Sequence, residues 1–217
     1  MQRLIEGVHK FRVEAFGRYR DLFHKLAHEG QHPQTLFITC ADSRVLAELI
    51  TQSQPGELFV VKNVGNIVPP ASATGRTNST SAAIEFAVEV LGVHDIVVCG
   101  HSQCGAMGAL MRGGVDGALL PHFSRWLELA APVRDVVNTL YFHLSAEAER
   151  QRAAEEENVL FALGNLLTYP CFQARLADQQ LNLHGWFYRI GTGELFAYDP
   201  VGGQFQPLLP PAETKPA

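Results

Sequence analysis

Apolar positions along the chain change their spacing several times. Between residues 2 and 29 they return every three or four places, with Leu4, Ile5, Val8 and Phe11 on one face and Leu22, Phe23 and Leu26 on the next. That period predicts helix, in two pieces. A stripe so far ahead of the first strand needs something to lie on. Its own domain and a neighbouring subunit would both serve, and the sequence favours neither.

The next runs are short and continuous. TLFITC (35–40), ELFVVKN (57–63, after a Pro-Gly) and DIVVCG (95–100) read as strands buried on both faces. Between the last two, SAAIEFAVEVLG places Ile84, Val88 and Leu91 on one helical face and ends at Gly92. Strands alternating with helices predict a parallel sheet with right-handed crossovers. Residues 121–180 read as mostly helical, most regularly at Val159, Leu163 and Leu166. LNLHGWFYRI, GTG and ELFAYD then read as two strands joined by a glycine turn. The tail PLLPPAETKPA is expected to be loose at its end. No internal repeat interrupts this order. The expected architecture is α/β: a central, mostly parallel sheet of four parallel strands plus a C-terminal antiparallel strand, flanked by helices. It forms a single domain over 1–217, with an N-terminal helical arm (1–34), an α/β core (35–120) and C-terminal helices and strands (121–217).

Composition narrows the partners. With 217 residues, 47% of them hydrophobic and 18% charged, the chain can bury one real core and does not resemble a disordered one. A net charge of -5 gives no basic footprint for nucleic acid or an anionic membrane. The first twenty residues carry a charge every few positions, which fits neither a signal peptide nor a membrane span and predicts a cytoplasmic protein. In that reducing compartment the four cysteines, Cys40, Cys99, Cys104 and Cys171, are candidates for metal binding, catalysis or plain burial rather than disulfides.

Topology then brings three of the polar groups together. Ligands of parallel sheets gather beyond the carboxyl ends of the strands. Cys40 ends the first strand, and His101 and Cys104 follow the third at once, so all three should face one crevice. The H-x-x-C spacing lets both side chains reach one ion, Cys40 supplies a third ligand, and a Cys2His set leaves one coordination position open, as in catalytic zinc sites. Taken singly, a buried cysteine at a strand end is usually a small apolar residue; Cys99 and Cys171 are read that way. Asp42, two residues from Cys40, is close enough to take a proton from water on the metal or to bind it, with Arg44 orienting the carboxylate. The plainer alternative is that Asp42 caps a helix starting near Val45 and Arg44 is a surface charge. His24 and His28, one helical turn apart, suit a solvated helix face better than a second metal site.

C-x-D-S-R followed by H-x-x-C-G resembles the β-class carbonic anhydrases, here as Cys40-Ala41-Asp42-Ser43-Arg44 and His101-Ser102-Gln103-Cys104-Gly105. The likeness extends through GQHP, PGELFVVKNVGNIVPP, IVVCGHSQCGAM, NLLTYP and LHGWFYRI, and is greatest to the plant-like branch with its cyanate-linked and carboxysomal bacterial members. The resemblance implies reversible hydration of CO2 to bicarbonate and a proton by zinc-bound hydroxide, with one Zn2+ per chain on Cys40, His101 and Cys104. It matches Asp42 and Arg44 to the family's catalytic dyad, the aspartate being a fourth zinc ligand in the closed state of some members. It also implies a substrate pocket of Gln31, Phe59, Val64 and Phe86, completed across a homodimer or higher homo-oligomer, and leaves the carboxysome open as an alternative to the cytoplasm.

The chain departs from the plant-like pattern at Phe86, where tyrosine is frequent, at Ala71 in VPPA, and at NSTS (78–81) in place of a glycine-rich stretch. Phe37 stands where the allosteric branch has tryptophan, so no bicarbonate switch of that kind is expected. Two thiolates cancel the charge of Zn2+, so water there should be less acidified than the value of about 7 at a three-histidine site, and activity should climb into the alkaline range.

The competing readings are weaker. A zinc deaminase needs H-x-E and P-C-x-x-C, which are absent. A cysteine nucleophile at Cys40 leaves His101 and Cys104 unexplained. A hydrolase of a CO2 analogue such as carbon disulfide, or a non-catalytic assembly protein, would use the same scaffold; the second gives no reason to keep Asp42, Arg44 and all three ligands together.

Overall fold

The computed structural model describes residues 1–72 and 78–208, apart from the side chain of Ala174. The end of the tail, from 209, lies outside the described residues. Six strands form one sheet in the order β2-β1-β3-β4-β5-β6: β1 (Thr35–Cys40), β2 (Leu58–Asn63), β3 (Asp95–His101), β4 (Asn182–Arg189), β5 (Glu194–Asp199) and β6 (Gln204–Pro207). The first four are parallel and the last two antiparallel. The expected single C-terminal antiparallel strand is therefore joined by a second. β6 is four residues long, mostly exposed and ends in proline, features that suit a sheet edge and mute its strand signal.

The apolar runs 35–40 and 95–100 form the sheet's central strands. In β1, Leu36, Phe37 and Ile38 are all within 1% of complete burial. At about 1.5–3 kcal/mol for each such side chain, they rival a domain's net stability of about 5–15 kcal/mol. The strand cannot slip, so the position of Cys40 at its end is fixed. Leu36, Ile38, Ile96 and Val98 pack on one face with Ile84, Val88, Val159 and Leu166. Phe37, Val97 and Cys99 pack on the other with Ala47. Cys99 is core, as expected; Cys171 is only half-buried against the first cluster.

Helices follow the predicted order. They are α1 (Gln2–Lys10), α2 (Phe16–Glu29), α3 (Ala47–Thr51), α4 (Ser79–Glu85), α5 (Gly105–Met111), α6 (Pro121–Glu128), α7 (Ala131–Leu140), α8 (Glu147–Leu166) and α9 (Pro170–Ala177). A π-wound turn at Phe11–Ala15 joins α1 to α2, and another, Phe86–Leu91, extends α4 to Gly92, whose φ of 68° ends it in the left-handed region. NSTS proves to be the start of α4: the Asn78 side chain accepts the Ser81 N–H at 2.9 Å, an N-cap. The predicted stripe of α1 is not buried by any of the described residues. No residue of α1 or α2 is buried, and Leu4 and Val8 are 68% and 66% exposed.

α8 packs along β3 and β4, and two glycines let it lie close. A Cβ at Gly100 would stand 2.7 Å from Val159 Cγ2, and one at Gly185 3.0 Å from Leu163 Cδ1. That close approach sets the helix beneath the carboxyl ends of the strands.

Candidate metal centre

β1 ends on Cys40 and β3 on His101, and the turn after β3 delivers Cys104 at the start of α5. The sulfur atoms and an imidazole nitrogen of these three buried residues all lie within 4.8 Å of one another. His101 Nδ1 donates to the Ser102 carbonyl at 2.9 Å, which fixes the tautomer and leaves Nε2 with a lone pair facing the cysteines. Nε2 is fully buried and has no hydrogen-bond partner. Leaving such an atom orphaned is costly, and a cation between it and the sulfurs removes the cost.

The thiols point the same way. Cys104 hydrogen-bonds Cys40 and, with His101 and the Gly65 N–H, pulls the Cys40 thiol far below its ordinary value. The neighbouring Cys40 sulfur, and burial, push Cys104 up. Two thiolates this close do not ionise together without a positive charge, and a dication supplies it. The Gly65 N–H donates to Cys40 Sγ at 3.3 Å from a backbone with φ 82°, in a space where a Cβ would meet Ala106 Cβ at 2.9 Å.

Asp42 stands at the rim. Its Oδ2 is 3.9 Å from His101 Nε2, and Arg44 holds it from two atoms, Nε to Oδ1 at 2.9 Å and Nη2 to Oδ2 at 2.8 Å. Those bonds keep the Asp42 carboxyl well below the usual carboxylate range. Arg44 also donates through Nη2 to the Gln103 carbonyl at 3.2 Å, so one guanidinium links the turn carrying Asp42 to the turn carrying Cys104. Asp42 does not cap α3, which starts two residues beyond Val45 with Leu46 before it. Lys62 Nζ closes the first turn by donating to the carbonyls of Val45 at 2.7 Å and Asp42 at 3.2 Å.

The four pocket residues do not meet in one chain. Val64 is next to Gly65 at the metal centre, its carbonyl accepting from Trp126 Nε1 at 2.7 Å. Phe59 pairs with Leu36 in β1, four positions before Cys40, which is about 13 Å along the strand. Phe86 packs on Phe59 with tilted rings whose centroids are 5.8 Å apart, and Gln31 is exposed ahead of β1, at the opposite end from Cys40. His24 and His28 are exposed on α2, a solvated face. Ala71 is partly buried against the same apolar cluster as Phe59, and its N–H donates to Thr168 Oγ1 at 2.8 Å.

Three side chains of α8, which the sequence did not single out, hold the backbone around the ligands. Cys104 N–H donates to Glu155 Oε1 at 2.8 Å, Gln151 Nε2 donates to the same oxygen at 2.9 Å, and Asn158 Nδ2 donates to the Gly65 carbonyl at 2.8 Å. Three glutamates followed by asparagine, EEEN at 155–158, look like a solvated helix face. The signal was the place of Glu155 and Asn158 on the helix side that also carries Ala154, Val159, Ala162 and Leu166.

Comparison with known proteins agrees with this geometry. The sequence profile of the family described as carbonic anhydrase matches residues 35–195. The chain belongs to the β-class carbonic anhydrases. A carbonic anhydrase of Synechocystis is 48% identical over 93% of this chain and 72% of its own length. One from Pseudomonas aeruginosa is 44% identical over 99% and 95%. Among solved structures, the β-carbonic anhydrase CcaA superposes with a TM-score of 0.92 at 46% identity, covering 97% of this chain and 92% of that one. A tetrameric β-carbonic anhydrase of Sordaria macrospora gives 0.79 at 31%, covering 90% and 95%. The chain is thus an enzyme of the carbonic anhydrase family, with a Cys-His-Cys site at the sheet's carboxyl edge.

Proposed function

We propose that Cys40 Sγ, His101 Nε2 and Cys104 Sγ hold one zinc ion per chain and that the site catalyses reversible hydration of CO2 to bicarbonate and a proton. The observation that carries this is the buried, unpartnered His101 Nε2 facing two thiols. When bound, zinc activates water for attack on a carbonyl carbon at neutral pH. Cys40 and Cys104 supply negative charge, and His101 a neutral lone pair oriented by its bond to Ser102.

Asp42 is ionised at the rim and is the proton acceptor nearest the open side of the ligand set. Arg44 fixes the direction of its oxygens, so that Oδ2 stays beside His101 Nε2 and does not rotate to solvent. Val64 gives the site an apolar wall for a nonpolar gas.

Gln31, Phe59 and Phe86 act from a second copy of the chain. Within one chain they stand at the other end of β1 from the ligands, and the bare apolar face of α1 offers the surface on which a second copy packs. The homologous enzyme of Sordaria macrospora is tetrameric. No helix among the described residues is long and apolar enough to cross a membrane.

Stopped-flow CO2 hydration on protein whose zinc has been counted tests the reading. One zinc per chain with activity rising toward alkaline pH is expected. A zinc-loaded protein that does not hydrate CO2 at any pH overturns it.

A further inference from the structure

The turn from His101 to Cys104 is held from three sides. The Ser102 N–H donates to the Tyr188 carbonyl in β4 at 2.9 Å, and Ser102 Oγ accepts from the Ile190 N–H at 3.0 Å. Arg44 grips the Gln103 carbonyl at 3.2 Å. Gln103 itself has φ 58°, a conformation an L residue adopts only when its surroundings impose it. The third hold is at Cys104, whose N–H meets the carboxylate of Glu155 at 2.8 Å.

Glu155 is 3% exposed on a helix whose neighbouring inward positions are alanine and valine. A carboxylate there is far less favourable than another alanine unless its oxygens are used. They are used on the metal side: Oε1 accepts from Cys104 N–H and from Gln151 Nε2, and Gln151 Nε2 also reaches the Cys104 carbonyl at 3.3 Å. The carboxylate and the amide thus clasp both backbone groups of one ligand residue. Asn165, three helical turns beyond Glu155 on the same buried side, makes a comparable bond to the Val68 carbonyl at 2.7 Å, away from the ligands.

From this clasp we infer that Glu155 is a positioning residue of the metal centre, setting the backbone of Cys104 so that its sulfur points at the ion before the ion binds. The inference rests on the zinc reading above. Removing the carboxylate leaves Cys104 N–H without its acceptor and frees the turn at its strained end, so zinc binding must pay for reordering that the parent protein has already made. Outer-shell partners of metal ligands typically contribute about 10–100-fold in affinity.

The test compares the full-length parent with Glu155→Ala, Glu155→Gln and Asn165→Ala. Zinc affinity is measured by competition with a chromophoric chelator, the thiolate-to-metal absorption after cobalt substitution is recorded, and thermal unfolding of each metal-free protein is followed in parallel. Glu155→Ala is expected to bind zinc about 10–100-fold more weakly, with an altered cobalt spectrum. Glu155→Gln keeps an acceptor oxygen and is expected to stay within about threefold of the parent, in line with rescue of the same outer-shell bond. Asn165→Ala is expected to lower thermal stability while leaving zinc affinity and the cobalt spectrum unchanged.

Three results overturn the inference: parent-like zinc affinity in Glu155→Ala, an equal loss in Asn165→Ala, or a Glu155→Gln variant as weak as Glu155→Ala. Should Glu155→Ala not fold, the last comparison is made between Glu155→Gln and the parent, and a loss of tenfold or more there has the same force. A parent protein that binds no zinc is a failure of the proposed function instead, and is seen before any variant is measured.

Discussion

Arg44 and Asp42 face each other as a planar fork, with Nε to Oδ1 at 2.9 Å and Nη2 to Oδ2 at 2.8 Å, and the aim of that fork leaves Oδ2 3.9 Å from His101 Nε2. Lysine carries one ammonium and cannot make two parallel bonds to a carboxylate. Arg44→Lys should therefore retain charge and zinc yet lose about 10–100-fold in kcat. Metal content and CO2 hydration measured on one preparation decide it; full activity in Arg44→Lys would mean that charge alone matters.

Ligand loss and loss of the dyad should separate cleanly. In Cys40→Ser a hydroxyl, un-ionised at neutral pH, replaces the thiolate that Gly65 N–H supports, and both zinc and activity should go. Asp42→Asn leaves the three ligands in place and should keep zinc while losing most activity. Metal analysis of the two purified variants provides the check, and equal zinc loss in both would erase the division of roles.

The depressed Asp42 carboxyl makes a statement about pH. A carboxyl whose folded value lies below its unfolded value, about 3.9, contributes stability above the unfolded value and loses it as pH falls through the folded one. Arg44's hydrogen bonds are the cause of the depression here. The stability difference between parent and Asp42→Asn in urea, with metal removed from both, should be constant from about pH 5 upward and shrink below it. Because Asp42 stays ionised through the neutral range, the expected alkaline rise in activity does not come from its titration. Asp42→Asn should lower the whole pH profile without moving its midpoint, and a shifted midpoint would assign the rise to Asp42.

What the sequence made legible follows from how local each signal is. β1 and β3 are continuous apolar runs ending in the residues that matter, so Cys40, His101 and Cys104 could be placed at one sheet edge from topology alone. Asp42 and Arg44 lie two and four residues from Cys40, and their pairing is a short-range contact. β6 was missed because four largely exposed residues ending in proline carry little strand signal. Glu155 and Asn158 were missed for a different reason. They reach the site from α8, far along the chain, and a carboxylate reads as solvent-facing until the glycines at 100 and 185 are seen to draw the helix onto the sheet. Gln31, Phe59 and Phe86 were assigned by resemblance only, and a single chain does not bring them to Cys40, His101 and Cys104.

That separation gives the sharpest test of assembly. If one copy's Gln31 completes the other copy's site, a chain carrying Cys40→Ser and a chain carrying Gln31→Ala are each deficient alone, for different reasons. Paired in one dimer, the Cys40→Ser chain lends its intact Gln31 to the intact ligand set of its partner. One of the two sites is then undamaged in every respect. Co-expression of the two chains with different affinity tags, and isolation of the mixed species, should recover hydration above the average of the two single variants. Were Gln31 to serve the ligands of its own chain, neither site in the mixed dimer would be whole, and the activity would stay at that average. The same experiment with Phe59→Ala in place of Gln31→Ala should behave alike, since Phe59 stands about 13 Å along the strand from its own Cys40.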